Sequence, residues 1–457
     1  MLLKSFSKLL HKTYVINFSP HRYSALFING PKATEHFVFL LPHIDYPDRT
    51  RDKDGLLSMI NKRKSNFDLD KLENLWNVYI DLKKHKTECD NRRNEYSKQL
   101  NDLYKNETEG NSEIEKLKIQ MNLIKENLKN LKAPLWAAEE AAIVEALKLP
   151  NILHNLTPDN ENRLIYEHKQ HPKNNKNHSI IGQEQNLLMF MKNNSYYLLG
   201  DAALFELGAK FYFSNYLKSN NFIQFSCPDF VKSLIVEGCG IDHTDPNSTF
   251  ILHDYENSEI SEDKRMHLTG AGSLCSFFAY HAKNVIYSKY LPLQYFSMGR
   301  LYVPGDSKEN SLFNVSQSSV VQMFIATKDN SDVDAQLGNV IEIIKNLYTK
   351  LDYHYRLVYV SADKLHSWEA LRVSIEMYSS SLSEYIEVGS VSLSGDYISK
   401  RLMFMYTDNK QNKFPRILSG TILNVPKFLA CVLEQDADFV IPESFMVGNW
   451  KDTVDVN

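Results

Sequence analysis

Between Phe67 and Leu149 the chain is rich in Leu, Lys, Glu and Asn, and its one glycine there, Gly110, sits at the middle of the stretch. In the second half Ile114, Leu117, Met121, Ile124, Leu128 and Leu131 recur at alternating spacings of three and four, the seam of a two-stranded coiled coil. In the first half Leu69, Leu72, Trp76 and Tyr79 start the same pattern, which lapses through Lys83, Lys86 and Arg93 and resumes at Tyr96, Leu100 and Leu103. This predicts a helical hairpin turning at Gly110, with helices of about 35 residues that each project roughly 50 Å at 1.5 Å per residue. An arm of that length cannot be buried in a globular core. Pro134 is expected to kink or end the second helix.

Residues 150–195 are polar and Asn-rich, above all around Pro172 to Asn177, and read as a linker followed by a surface excursion. Beyond them an amphipathic helix over 202–217 leads into the apolar run 222–225. Strands then follow near 291–302, 320–327, 356–360, 371–378 and 386–391, with helices over 333–348 and 425–433. Mostly antiparallel strands with a few segregated helices predict an α+β domain. The expected division is a lead segment over 1–30, a lead-in over 31–66, the arm over 67–149, the linker over 150–195 and the α+β domain over 196–457.

A length of 457 residues suits two or three domains, and a 12% aromatic share excludes a mostly disordered chain. The net charge of −4 gives no global field for nucleic acid, so any such binding must come from a local basic surface. The arm offers one: Lys83, Lys84, Lys86, Arg92, Arg93 and Lys98 concentrate where the apolar seam lapses. Read alone, that run is equally the solvated face of a coiled coil. Cys89, Cys227, Cys239, Cys275 and Cys431 are far apart and odd in number, with no CxxC pair, and read as free thiols in a reducing compartment. Before the first acid, Glu35, come Lys4, Lys8, Lys12, Arg22 and Lys32, with Leu2, Leu3, Phe6, Leu9 and Leu10 as an apolar stripe. That is a targeting profile for the mitochondrial matrix. No run of about 18 apolar residues is long enough to cross a membrane as a helix.

The layout is a protruding antiparallel coiled coil, then Leu149-Pro150-Asn151-Ile152, then an antiparallel α+β domain ending in Val440-Ile441-Pro442-Glu443. It resembles the seryl-tRNA synthetase family of class II aminoacyl-tRNA synthetases over about residues 67–445, most of all the catalytically degenerate synthetase-like mitochondrial paralogue of insects. The resemblance implies an N-terminal coiled-coil arm followed by a class II synthetase-like antiparallel sheet domain flanked by helices. Its motif 1, a helix and strand ending at a dimer-interface proline, is similar to 202–228, with Pro228 in the proline's place and Phe225 on the strand before it.

The family's chemistry needs carboxylates for the serine ammonium and magnesium, and arginines for the ATP phosphates. Where the family has a Thr-Ala-Glu loop this chain has Gly270-Ala271-Gly272, and where motif 2 has Phe-Arg-Ser-Glu it has Tyr302-Val303-Pro304-Gly305. The returning strand carries Asn314, Ser316, Ser318 and Ser319, and the Gly-Arg pair of motif 3 is Pro426-Lys427, a point charge in place of a planar fork. Glu387 and Ser390 alone match positions that contact nucleotide and metal. Gly272, Val303, Gly305, Ser319, Glu387, Ser390 and Lys427 are therefore vestigial nucleotide-site positions, with no catalytic set, no metal, no cofactor and no small-molecule substrate expected. Between 291 and 319 the one arginine is Arg300 and the acids are Asp306 and Glu309, so no shift of register restores Arg and Glu on both strands.

Three other groups carry less. Thr269 to Ser273 lacks the Walker lysine and reads as a turn before a helix. Cys239, Asp242, His243 and Asp245 have no distal partner that would close a zinc site and read as a polar loop. His253, His267 and His281 have no nucleophile beside them and read as structural. In the family the arm grips tRNA by backbone and shape. The resemblance therefore implies an inactive RNA-binding subunit, with serine tRNA as its RNA and the mitochondrial seryl-tRNA synthetase, or a second copy, as its partner. The alternatives are a protein-binding scaffold without RNA binding and a residually active serine-tRNA ligase.

Overall fold

The computed structural model describes residues 24–35, 40–105, 112–171, 176–191, 195–252, 264–305, 310–435 and 439–446. The lead segment up to residue 23, the hairpin tip around Gly110, His253, Asp306 and Glu309 lie outside them. Two compact units form: residues 1–39 with 66–149, and residues 40–65 with 150–457.

The first unit is the arm. Its helices are Leu69–Lys105 and Ser112–Leu147, of 37 and 36 residues. Asp68 starts the first by accepting the Lys71 backbone N–H at 2.9 Å. Leu72, Leu75, Tyr79, Leu82, His85, Cys89 and Leu100 are buried along it, so the seam does not lapse where the Lys residues begin. It passes through His85 and Cys89, whose Nε2 and Sγ lie 3.9 Å apart, and a pattern scored on aliphatic residues overlooks them. Ile114, Leu117 and Leu131 are buried on the second helix, as its spacing predicts. That helix runs through Pro134 without ending. Proline deprives the Asn130 carbonyl of one bond, and the buried Leu131 and Ala138 on either side hold the turn against their partners.

Residues 24–30 belong to this unit. Leu26 and Phe27 are buried, the Ser24 hydroxyl accepts the Phe27 backbone N–H at 2.9 Å, and the Asn29 amide donates to the Trp136 carbonyl at 2.9 Å. This strap lies within the stretch whose charge pattern reads as a targeting segment.

The second unit is built on one sheet. Its strands are β1 (Arg163–His168), β2 (Ile223–Gln224), β3 (Leu293–Tyr302), β4 (Gln317–Thr327), β5 (Tyr355–Tyr359), β6 (Leu371–Ser379), β7 (Glu384–Gly395) and β8 (Arg416–Asn424). They lie in the order β1-β5-β6-β7-β8-β4-β3-β2, antiparallel except for β2 against β3. The linker-like stretch 150–195 thus contributes edge strand β1 to the main sheet and the strand Leu188–Met191, which pairs with Ser195–Leu198 in a separate two-stranded sheet.

Strand β8, central in the sheet, has no clean apolar run because Ser419, Gly420 and Thr421 interrupt it. A Cβ at Gly420 would collide with the Ser390 carbonyl of β7, so glycine is what lets the two strands close. The alternation of the strands sorts two faces. Val321, Met323, Ile325, Val373, Ile375, Met377, Leu418 and Ile422 join the apolar core with the Gly200–Ser219, Asn330–Thr349 and Val425–Gln435 helices. The opposite face is polar over its middle strands, while Val320 and Phe324 of β4 are buried on it, Phe324 against Phe277, Phe278 and His281. No helix among the described residues is long and apolar enough to cross a membrane.

Candidate functional site

The polar face of the sheet floors a cleft of about 1270 Å³. Ser318 and Gln322 of β4, Arg372 of β6, Glu387, Ser390 and Ser392 of β7, and Ser419 and Thr421 of β8 project into it. Val303 to Gly305, Phe313 to Val315 and residues around Thr269 and Asp242 form its rim. Its floor is hydroxyl-rich and cross-linked. Thr421 donates to the Gln322 side chain at 2.7 Å, and Ser374 donates to Glu387 at 2.8 Å.

The cations are the informative part. Arg372 is clasped by Glu387 and has Glu369 at 3.9 Å. Burial would lower its pKa, but these carboxylates outweigh burial and the shift is upward. Glu369 is itself fully engaged, accepting Ser392 at 2.5 Å and the His366 backbone N–H at 2.8 Å. Among the described lining residues Lys427 is the other Lys or Arg, set in the first turn of its helix with its own N–H on the Asn424 side chain at 3.3 Å. The acids in the lining are Asp242, Glu369 and Glu387. Among the described residues the cleft therefore has one engaged guanidinium, one ammonium and no surplus of positive charge for a polyphosphate.

Gly272, Val303, Gly305, Glu387, Ser390 and Lys427 all line the cleft. Ser319 does not. It is one residue out of phase with Ser318 and points to the other face, where its hydroxyl donates to Glu206 at 2.6 Å. Arg300 pairs with Ser319 across β3 and β4 and shares that face, its guanidinium 3.4 Å from the same Glu206. Gly272 is constrained by packing as well as by chemistry, since a Cβ there would collide with Val320, and one at Gly270 with the Arg300 carbonyl. The turn ends as expected in a capped helix, Leu274–His281, with Ser273 accepting the Ser276 N–H at 3.3 Å. Arg372, Glu369 and Gln322 were not singled out by the sequence. Polar residues at alternate positions of β6, Arg372, Ser374 and Glu376, against apolar Val373, Ile375 and Met377 are the pattern that marks them.

Phe225 is half-buried, its ring 5.6 Å from Phe277 and 5.2 Å from Tyr280, while Pro228 is exposed and its carbonyl accepts Ser276 at 3.0 Å. On the arm, Lys83, Lys84, Lys86, Arg92 and Lys98 are exposed, whereas Arg93 is half-buried and paired with Asp90 at 3.2 Å. Cys239, Asp242, His243 and Asp245 do not converge. Cys239 turns inward, His243 lies 3.6 Å from Glu237, and Asp242 and Asp245 brace their own turns. No group of three metal-binding side chains is present among the described residues. His267 bonds Ser233 at 2.9 Å, and His281 stacks on Phe324 at 5.5 Å with both ring nitrogens unpartnered.

Residues 258–436 match the model of the tRNA synthetase class II core domain (G, H, P, S and T). The chain is 31% identical to the serine--tRNA synthetase-like protein Slimp of Drosophila melanogaster over 422 residues, 90% of this chain and 88% of that protein. It is 26% identical to the serine--tRNA ligase of Treponema denticola over 88% of this chain and 98% of that one. The crystal structure of seryl-tRNA synthetase from Pyrococcus horikoshii complexed with ATP superposes with a TM-score of 0.74 at 17% identity, covering 87% of this chain and 96% of that one.

Proposed function

This chain belongs to the seryl-tRNA synthetase family of class II tRNA synthetases, and from that premise we propose that it is a catalytically inert mitochondrial subunit that binds tRNA through its arm and supports a partner. The observation that carries this reading is the fate of the arginines. Arg300 lies on the face away from the cleft beside Glu206, and Arg372 is held between Glu387 and Glu369. Activating an amino acid with ATP builds negative charge on the α-phosphate oxygens and the leaving pyrophosphate, and preorganised cations stabilise it. Removing one such group typically costs 10²–10³ in rate. Val303 and Gly305 supply none, and Gly272 has neither a carboxylate nor room for one. The deciding experiment is serine-dependent exchange of pyrophosphate into ATP. Exchange indistinguishable from a no-enzyme control is expected, and exchange above it would return the chain to the active ligases.

The arm's exposed Lys and Arg residues support RNA binding by contacts to phosphates, whose signature is an affinity that falls steeply with salt. A gel shift with mitochondrial serine tRNA across a salt series separates this from a protein-binding scaffold, for which no shift is expected. The basic run before Glu35 supports the matrix as its compartment. Import of a fluorescent fusion checks that.

A further inference from the structure

We propose that a small three-stranded sheet of the second unit is a stacking platform for single-stranded RNA. The inference rests on the RNA-binding part of the proposed function and adds to it a contact on the sheet domain. The strands are Val285–Tyr287, Met405–Asp408 and Gln411–Lys413, the first parallel and the last antiparallel to the middle one. Their register sets Tyr287 beside Thr407, and Thr407 beside Asn412. Alternation sorts the two faces. Tyr406 is buried on the inner one, whereas Tyr287 and Asn412 are exposed and Thr407 is half-buried, so these three form a row across the outer face. The Thr407 hydroxyl donates to the Asn412 side-chain oxygen at 2.8 Å, which keeps the Asn412 NH2 group as a donor for a base edge.

Tyr290 extends the row. Tyr287 and Tyr290 are 66% and 54% exposed, with ring centroids 6.4 Å apart. The Lys289 ammonium stands 5.0 Å from the Tyr290 centroid and 5.8 Å from that of Tyr287, within reach of a cation–π contact with both. Large rings held open to water beside one another mark a contact surface. Charge says what covers them. In residues 283–290 and 405–413 four lysines, Lys283, Lys289, Lys410 and Lys413, stand against one acid, Asp408, which Lys413 already meets at 3.1 Å. On a chain of net charge −4 this is a local basic surface. An apolar protein patch would bury these lysines without countercharge. A single strand of RNA supplies a phosphate at every nucleotide for the lysines and a flat base for each ring, in any sequence.

The test uses the full chain and a fluorescently labelled oligouridine of about 12 nucleotides, which has no fold of its own. Anisotropy should show binding that weakens as salt rises, and ultraviolet crosslinking should map to the peptide that holds Tyr287 and Tyr290. Tyr287→Ala with Tyr290→Ala should weaken binding about tenfold at an unchanged melting temperature, since both side chains are exposed. Tyr287→Phe with Tyr290→Phe keeps the rings and should bind as the wild type does. Lys289→Gln should reduce the salt slope by about 1. The arm variant with Lys83, Lys84, Lys86, Arg92 and Arg93 changed to glutamate separates the two contacts: it should lose tRNA and keep the 287–290 crosslink. Oligouridine that fails to bind, crosslinks confined to the arm, affinity indifferent to removal of both rings, or an equal loss in the phenylalanine pair would overturn the proposal, whatever the arm does with tRNA.

Discussion

Glu434 is wholly buried, yet it accepts from the His178 ring at 2.7 Å, Ser379 at 2.6 Å and Ser381 at 2.8 Å. Burial would raise its pKa, but these bonds outweigh burial and hold it down at about 2. Glu434→Ala leaves several buried donors without an acceptor, at about 1–3 kcal/mol each, so a loss of at least ~3 kcal/mol is expected and a thermal melt will read it. The histidines act in the other direction. Burial pushes His267 and His281 from 6.5 down to about 4. The unfolded chain then takes up protons that the folded one refuses, and stability, full above about pH 6.5, falls as pH drops toward 4. His281→Leu should flatten part of that slope in melts across pH 7 to 4, because the groups around it, Phe324, Tyr295, Phe404 and Tyr280, carry no charge in that window. The motif resemblance placed Val303, Gly305, Glu387 and Lys427 in the cleft, since their segments are long enough to align. Ser319 missed because a strand's period of two turns a one-residue error into the opposite face. Arg372 missed because the resemblance directs attention to groups that are lost, and this one is present.

The arm makes the clearest demand on its elements. Replacing Lys83, Lys84, Lys86, Arg92 and Arg93 with glutamate should abolish tRNA binding in a gel shift and leave helicity unchanged by circular dichroism, because these side chains lie outside the buried seam or at its edge. Arg93, tied to Asp90, is expected to contribute least when changed alone. The strap is a second test. Removal of residues 1–30 strips buried Leu26 and Phe27 from the arm at about 1.5–3 kcal/mol each, and a thermal melt will read the loss. It follows that any processing cut compatible with a stable arm falls before Ser24, which N-terminal sequencing of the protein isolated from cells will check. The hairpin was readable because its seam repeats over many turns. The strap was not, because a short apolar run after a basic segment has the same composition whether it is discarded or docked. Strand β8 was hidden for a packing reason: the close approach of β7 requires Gly420, and Ser419 and Thr421 face the cleft, so the strand has no continuous apolar run.

On the proposed reading of an inert subunit the chain acts through what it touches, and the sheet domain carries an exposed apolar face. Strand β2 is a two-residue edge, and its Ile223 and the nearby Tyr280, whose ring meets Phe225, are 61% and 62% exposed. Phe225 is anchored behind that edge by Phe277 and Tyr295, and Pro228 follows on the surface. Large apolar side chains beside an unpaired strand edge favour burial against another chain. We propose two candidate partners for the edge. A second copy would pair isologously, each β2 meeting the other around a twofold axis. The active mitochondrial seryl-tRNA synthetase would offer a related edge together with the reacting groups this cleft lacks. We favour the second pairing, because an arm that held tRNA, as proposed, would affect aminoacylation only beside a site that performs it. Co-purification of the tagged protein from mitochondria should therefore recover the synthetase at near-equal stoichiometry. Ile223→Asp should release it while leaving the melting temperature of the isolated chain unchanged, since that side chain is exposed. Recovery of self-associated chains alone, with no synthetase, would leave the protein an independent RNA-binding dimer.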